Sequence, residues 1–128
     1  MKPCVLVVCN EKELAIIPQA LLSAGLSVEV AHNAPEALDR IAIRKPDLII
    51  LDLMLPRIGG IALLQTMRKN QTTREIPAIL TAARMSSDCR LEALDAGADG
   101  FMSKPFTQQD LLHLVNEFLP AQSQFPSN

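Results

Sequence analysis

Five short apolar runs recur along this chain, and each is followed by a segment whose apolar residues share one helical stripe. Cys4 to Val8 is a β-branched run and reads as a strand. Glu11 to Ser23 follows, with Leu14, Ile17, Leu21 and Leu22 on one stripe and Gly25 as its stop. Ser27 to Ala31 alternates and reads as a half-exposed strand, and Asn33 then caps a helix from Pro35 to Arg44 that Pro46 stops. Leu48 to Asp52 is the third strand, and Gly59-Gly60 opens a helix running to about Asn70. Pro77 precedes a fourth strand, Ala78 to Thr81. Ser86 or Ser87 caps a helix ending at Gly97, and Gly100 to Ser103 is a short fifth strand. Pro105 starts the last helix, whose apolar side is Leu111, Leu112, Leu114, Val115, Phe118 and Leu119. Pro18 conflicts with the first helical stripe, because an interior proline costs ~3 kcal/mol; a kink or loosened turn is expected there.

Strand-helix units joined by short connections imply a parallel sheet covered on both faces. The expected fold is α/β, a flavodoxin-like doubly wound (βα)5 three-layer sandwich with strand order 2-1-3-4-5. At 128 residues the chain suits one domain over residues 1–120, and a TIM barrel would need about twice that length. The polar stretch 121–128 lacks periodicity and reads as a flexible tail or the start of a linker.

Composition removes several classes of function. No apolar run is long enough to span a membrane, and the N-terminus lacks a secretory pattern. The net charge is -2 with no Lys/Arg block, and Trp and Tyr are absent, so direct nucleic-acid binding is not expected. The three cysteines, Cys4, Cys9 and Cys89, form no Cys-x-x-Cys; reduced thiols in a cytoplasmic protein is the simple reading. Cys4 and Cys9 lie an odd number apart and face opposite ways, and Cys9 reads as a small buried apolar residue. His32 and His113 have no ligand pattern and neither reads as catalytic.

Asp52 ends the apolar run Leu48-Ile49-Ile50-Leu51, at the strand end where open α/β sheets place their chemistry. Thr81 ends the fourth strand and Lys104 follows the fifth. Acid, hydroxyl and amine at three successive strand ends form a site suited to holding a phosphoryl group.

At this point the chain resembles the receiver domains of two-component response regulators, over roughly residues 4 to 119. The matching pieces are Val5-Leu6-Val7-Val8, Asp52 followed by Met54-Leu55-Pro56 and Gly60, Leu80-Thr81-Ala82, and Ala96-Gly97-Ala98-Asp99-Gly100-Phe101-Met102-Ser103-Lys104-Pro105-Phe106. The resemblance implies roles by position. Asp52 is the phospho-acceptor, Lys104 the amine that pairs with phosphoryl oxygens, and Thr81 the hydroxyl that moves toward them. Ala82 is the small residue leaving access to the acceptor, and Phe101 stands at the aromatic switch position, where a plain core aromatic is the competing reading. The Met54 carbonyl matches a metal-ligand position.

Receivers carry two adjacent acids at the end of the first strand, and this chain has Cys9 and Asn10 there, with only Glu11 keeping the pattern. Magnesium prefers carboxylate oxygens and a thiol suits softer metals. The expected cofactor is therefore Mg2+ held weakly or not at all by Asn10, Asp52 and Met54, and no other. The implied partners are a histidine kinase or histidine phosphotransfer protein, met partly through Ala15, Pro18 and Gln19, and a downstream protein or an output domain beyond this chain. A second copy is a further candidate partner.

The function expected from the resemblance is phosphorelay signalling without enzymatic turnover beyond assisting phosphorylation of Asp52. The alternative is a phosphorylation-independent interaction module. A flavin-binding protein of the same fold would need a Ser/Thr/Gly-rich loop where the chain reads Cys9-Asn10-Glu11-Lys12. An aspartyl phosphatase would need a second acid where Leu53 and Met54 stand.

Overall fold

A computed structural model describes residues 3–9, 16–53, 59–82, 87–104 and 106–119. The strands are β1 Cys4–Val8, β2 Ser27–Ala31, β3 Leu48–Asp52, β4 Ala78–Ala82 and β5 Gly100–Ser103. The helices are α1 Ile16–Ser23, α2 Ala34–Ile43, α3 Gly60–Lys69, α4 Ser87–Ala96 and α5 Gln108–Phe118. All pairings are parallel, in the order β2-β1-β3-β4-β5. The expected doubly wound sandwich is therefore the observed one.

Side-chain alternation divides the core into two layers. Leu6, Val8, Ile49, Leu51 and Leu80 face α2, α3 and α4, where Ala37, Ile41, Leu63, Leu64, Met67 and Ala93 meet them. Val5, Val7, Ile50, Ile79 and Met102 face α1 and α5, packing on Ile17, Leu21, Leu111 and Val115. β1, β3 and β4 are buried along their whole length, which is why they read as continuous apolar runs rather than alternating ones. The edge strand β2 is half-buried except at Ala31, as its alternation implied.

The helix boundaries follow from local hydrogen bonding. Asn33 Oδ1 accepts the Glu36 N–H at 2.9 Å, with Pro35 in the first turn of α2. Gly25 takes φ 87°, and its N–H and that of Leu26 reach back to the carbonyls of Leu22 and Leu21. This paired closure satisfies the last carbonyls of α1 and requires the left-handed conformation that glycine adopts freely.

Two boundaries and one core assignment need correction. The last helix begins at Gln108, three residues after Pro105, because Thr107 and Asp110 form a reciprocal cap. Leu22 is 58% exposed, and Ala20 takes its place in the core, since Leu22 lies about 100° around the helix from Leu21. β4 extends one residue further, to Ala82, whose carbonyl accepts the Lys104 N–H at 2.8 Å. Pro18 lies within the described α1, which runs through it from Ile16 to Ser23. Asn10, Glu11, Leu14, Ala15, Met54 to Pro56, Ser86, Pro105 and the stretch after Leu119 lie outside the described residues.

Candidate functional site

Asp52, Thr81 and Lys104 converge at the C-terminal edge of the sheet. Parallel register places Asp52 beside Thr81 and Thr81 beside Met102, two residues before Lys104. The backbone ties these strand ends together, with Leu53 N–H donating to the Thr81 carbonyl at 2.8 Å. Lys104, leaving β5, turns its side chain back across the edge, and its Nζ lies 3.1 Å from Asp52 Oδ2.

The pair is asymmetric. Asp52 is 2% exposed, whereas the Lys104 side chain retains a fifth of its accessibility. A carboxylate withdrawn from water this far needs a positive partner, and Lys104 supplies it while staying partly solvated. Thr81 is buried and its Oγ1 donates to the Leu51 carbonyl at 3.4 Å, a long bond. Its hydroxyl is thus satisfied by the backbone one residue before the acid. Ala82 is also buried, and its methyl adds no bulk beside the strand end.

Phe101 is half-buried against the α2–α4 layer, and the Arg90 guanidinium lies 5.8 Å from its ring centroid. Both readings of Phe101 meet here: the ring belongs to a core layer, and its outer side is open to a side chain of α4. Cys9 follows β1 and packs among Val5, Val7 and Ile17. Its thiol belongs to the apolar layer beneath α1 and α5, as expected of a buried small residue. Among the described residues no three His, Cys, Asp or Glu side chains gather into a group able to hold a metal ion. A thiol within an apolar layer is a poor donor for a hard cation. Asn10 and Met54 lie outside the described residues.

Gly60 enters the sequence reading as a helix opener and as one piece of the family resemblance. A Cβ there would come within 2.5 Å of the Asp52 carbonyl oxygen, and the Gly60 N–H donates to Leu53 O at 3.2 Å. The start of α3 is therefore pressed against the backbone that carries the acid. The Gly-Gly pair was the available signal; that one glycine faces the acid is decided by tertiary packing. Sequence reading also missed Arg68, which bonds Asp99 Oδ2 at 3.0 Å at the opposite edge of the sheet. His32, just after β2, and His113, on α5, lie four residues before Glu36 and Glu117 and pair with them at 3.4 and 3.7 Å.

Comparison with known proteins gives one family. The family described as response regulator receiver domain matches residues 5–116. Response regulator MprA of Mycobacterium avium (strain 104) is 41% identical over 95 residues, which are 74% of this chain and 41% of that protein. The chain thus spans about two fifths of the length of the curated relatives it matches. Chemotaxis protein CheY4 of Vibrio cholerae superposes with TM-score 0.89 at 26% identity, over 93% of this chain and all of that one. The receiver domain of sensor histidine kinase PA1611 from Pseudomonas aeruginosa superposes with TM-score 0.84 at 23% identity, over 92% of this chain and 98% of that one. That protein was crystallised with a magnesium ion coordinated in its active-site cleft.

Proposed function

This chain belongs to the response regulator receiver-domain family of two-component phosphorelay signalling, and we propose that Asp52 is its phosphoryl acceptor. The carrying observation is the 3.1 Å contact of Lys104 Nζ with Asp52 Oδ2 at the C-terminal edge of the sheet. The donor is a phosphohistidine of a kinase or phosphotransfer protein. A carboxylate oxygen of Asp52 attacks phosphorus, the P–O bond forms, and the P–N bond breaks. The donor imidazole leaves with the electron pair and takes up a proton.

The new group carries more negative charge than the carboxylate did and presents strong acceptor oxygens. Lys104 is placed to pair with them. Thr81 moves its hydroxyl from the Leu51 carbonyl toward the phosphoryl, exchanging a long neutral bond for a charge-assisted one. Phe101 responds to that motion at its half-open position, and Ala82 leaves the approach clear. The changed face meets a downstream protein or an output domain. The chain is an acceptor rather than an enzyme, and the reading places it in the cytoplasm with its donor; none of the described helices is long and apolar enough to cross a membrane.

Magnesium binds this site weakly. Cys9 contributes an apolar-layer thiol, and Asn10 a neutral amide, where relatives of the family carry acids. Losing one charge contact costs roughly 1–4 kcal/mol at a surface-like dielectric. The Cys9 placement favours a second reading, an interaction module that works without phosphorylation.

Incubation with acetyl phosphate and magnesium, read by intact mass, separates the two. The acceptor reading expects one added phosphoryl group, lost in Asp52→Asn. Modification that persists in that variant puts the acceptor elsewhere, and no modification of either protein favours the interaction module. Cys9→Asp with Asn10→Asp should tighten magnesium by at least about tenfold, or roughly 1.4 kcal/mol. Equal affinity in the unaltered chain would end the weak-metal reading.

A further inference from the structure

A groove of about 570 Å³ opens between the C-terminal ends of α2 and α3. Helices of a doubly wound fold run against the strands, so this groove lies toward the edge of the sheet opposite Asp52. Leu38, Ile41 and Ala42 form one wall, at the i, i+3, i+4 spacing that puts them on one face of α2. Lys45 continues that wall just past the helix. The other wall is made by the end of α3, at Thr66 and Asn70, and by Thr72 and Thr73 of the turn that follows. Ile41 and Thr73 are buried and Leu38 is half-buried, so the groove is apolar in depth and open on one side.

Its hydrogen-bonding capacity is one-sided. The Thr73 hydroxyl donates to the Met67 carbonyl at 2.6 Å, and the Thr66 hydroxyl to the Ala62 carbonyl at 3.1 Å. Thr72 directs both its N–H and its hydroxyl to Asn70 Oδ1, at 3.0 and 2.8 Å. The backbone acceptors at this end of α3 are also occupied. The Met67 carbonyl takes the Asn70 N–H, and the Asn70 carbonyl takes those of Thr73 and Arg74. What remains is donor. Two donors on Oδ1 fix the orientation of the Asn70 amide and leave the two protons of its Nδ2 for another acceptor. Among the described residues, neither Nδ2 nor the Lys45 ammonium has a hydrogen-bond or ion-pair partner. No Asp or Glu is among the described residues that line the groove.

We propose that this groove binds a small organic anion, a monocarboxylate with an apolar body. The body lies along Leu38, Ile41 and Ala42, a wall that runs roughly 10 Å to Lys45 at helical rise. The carboxylate takes the Lys45 ammonium and the Asn70 Nδ2 protons. The volume is that of a small-molecule site. A protein partner would engage about 20–30 residues a side, far more than line this groove. A cation meets Lys45 and no carboxylate, and a neutral apolar molecule leaves both donors unused. Lys45 is exposed, so its charge confers a preference of only a few fold. The site stands apart from the acceptor reading, since none of its residues belongs to the Asp52 constellation.

Backbone amide NMR of the full chain, titrated with octanoate, tests this. Saturable shifts are expected at amides of 38–45 and 66–73, with a Kd in the millimolar range, while amides of 50–52 and 79–82 stay in place. Octanol and octylammonium at equal concentration should give shifts at least about threefold smaller. Lys45→Met keeps the apolar stem and removes the charge, and should bring octanoate and octanol within about 1.5-fold of each other. Lys45→Arg should retain the preference for octanoate. Both replacements are at an exposed position, so the fold is kept for the comparison. Shifts that fail to saturate, or that spread over the whole surface, overturn the site. Equal shifts from octanoate and octanol in the unaltered chain, or a preference for octanoate that survives Lys45→Met, overturn the anion assignment.

Discussion

The two edges of the sheet hold their charges in different ways. At the C-terminal edge, Lys104 meets Asp52 side chain to side chain, beside a Thr81 hydroxyl on a long bond. At the N-terminal edge, the charged groups grip the main chain: Arg68 bonds carbonyls, Asp99 the Ala78 amide, and Asp47 the Cys4 amide at 2.8 Å. A side chain bonded to backbone is fixed by the fold, because the partner cannot turn away. A pair of side chains can exchange partners without unfolding anything. The proposed working edge thus pairs Lys104 with Asp52 side chain to side chain, whereas the structural edge commits Arg68, Asp99 and Asp47 to the main chain.

Breaking the committed edge should cost most. Arg68→Met removes a guanidinium that satisfies carbonyls from two loops and is expected to lower unfolding stability by about 3 kcal/mol. Urea unfolding measures it, and a loss under about 1 kcal/mol would erase the distinction between the edges. At the working edge the expectation is asymmetric. Lys104→Met leaves the Asp52 carboxylate buried without its ammonium and should cost about 2–3 kcal/mol, less than for a wholly buried pair because Lys104 is partly solvated. Asp52→Asn leaves an ammonium that reaches water, and its stability should stay within about 1 kcal/mol of the unaltered chain. Equal losses in the two variants would mean that the pair is a structural unit after all.

Gly60→Ala sharpens the picture between these limits. The added methyl meets the Asp52 carbonyl, so α3 or the strand end must shift, at about 1–2 kcal/mol. Modification of Asp52 should slow together with the loss of stability. A variant that is destabilised yet modified at the full rate would separate the backbone seat from the chemistry.

The smallest effect belongs to Cys4 at the structural edge. Burial pushes its thiol up, Glu29 and Asp47 add to the rise, and Arg44 opposes it. A raised folded value means the folded chain holds the proton longer than the unfolded one. That contribution is complete below the ordinary thiol value of about 8.5 and is lost as pH rises beyond it. Stability should therefore fall slightly more steeply above that pH in the unaltered chain than in Cys4→Ala. Parallel curves for the two would count against it.

Much of this was written in the local pattern. The run Leu48 to Asp52 has to be a central strand because both its faces are apolar, and the acid at its end is placed by the direction of the strand alone. Strand order and the Asp52, Thr81 and Lys104 constellation were legible for the same reason: parallel α/β topology sends every strand's C-terminal end to one edge. Helix ends were legible where a side chain caps its own turn, as Asn33 does, and misread at Pro105, where the Thr107–Asp110 cap outweighed a proline signal.

What the residue order by itself determined is the set of periodicities, two-sided burial and caps, since these act within a few residues of one another. What only the tertiary structure decided is which groups meet across tens of residues. Arg68 finds Gly97 and Asp99, Gly60 presses on Asp52, and Arg90 lies over Phe101. Such contacts depend on angles and offsets between packed layers, and no local pattern encodes them, because the same helix stripe satisfies its own period at several rotations against the sheet.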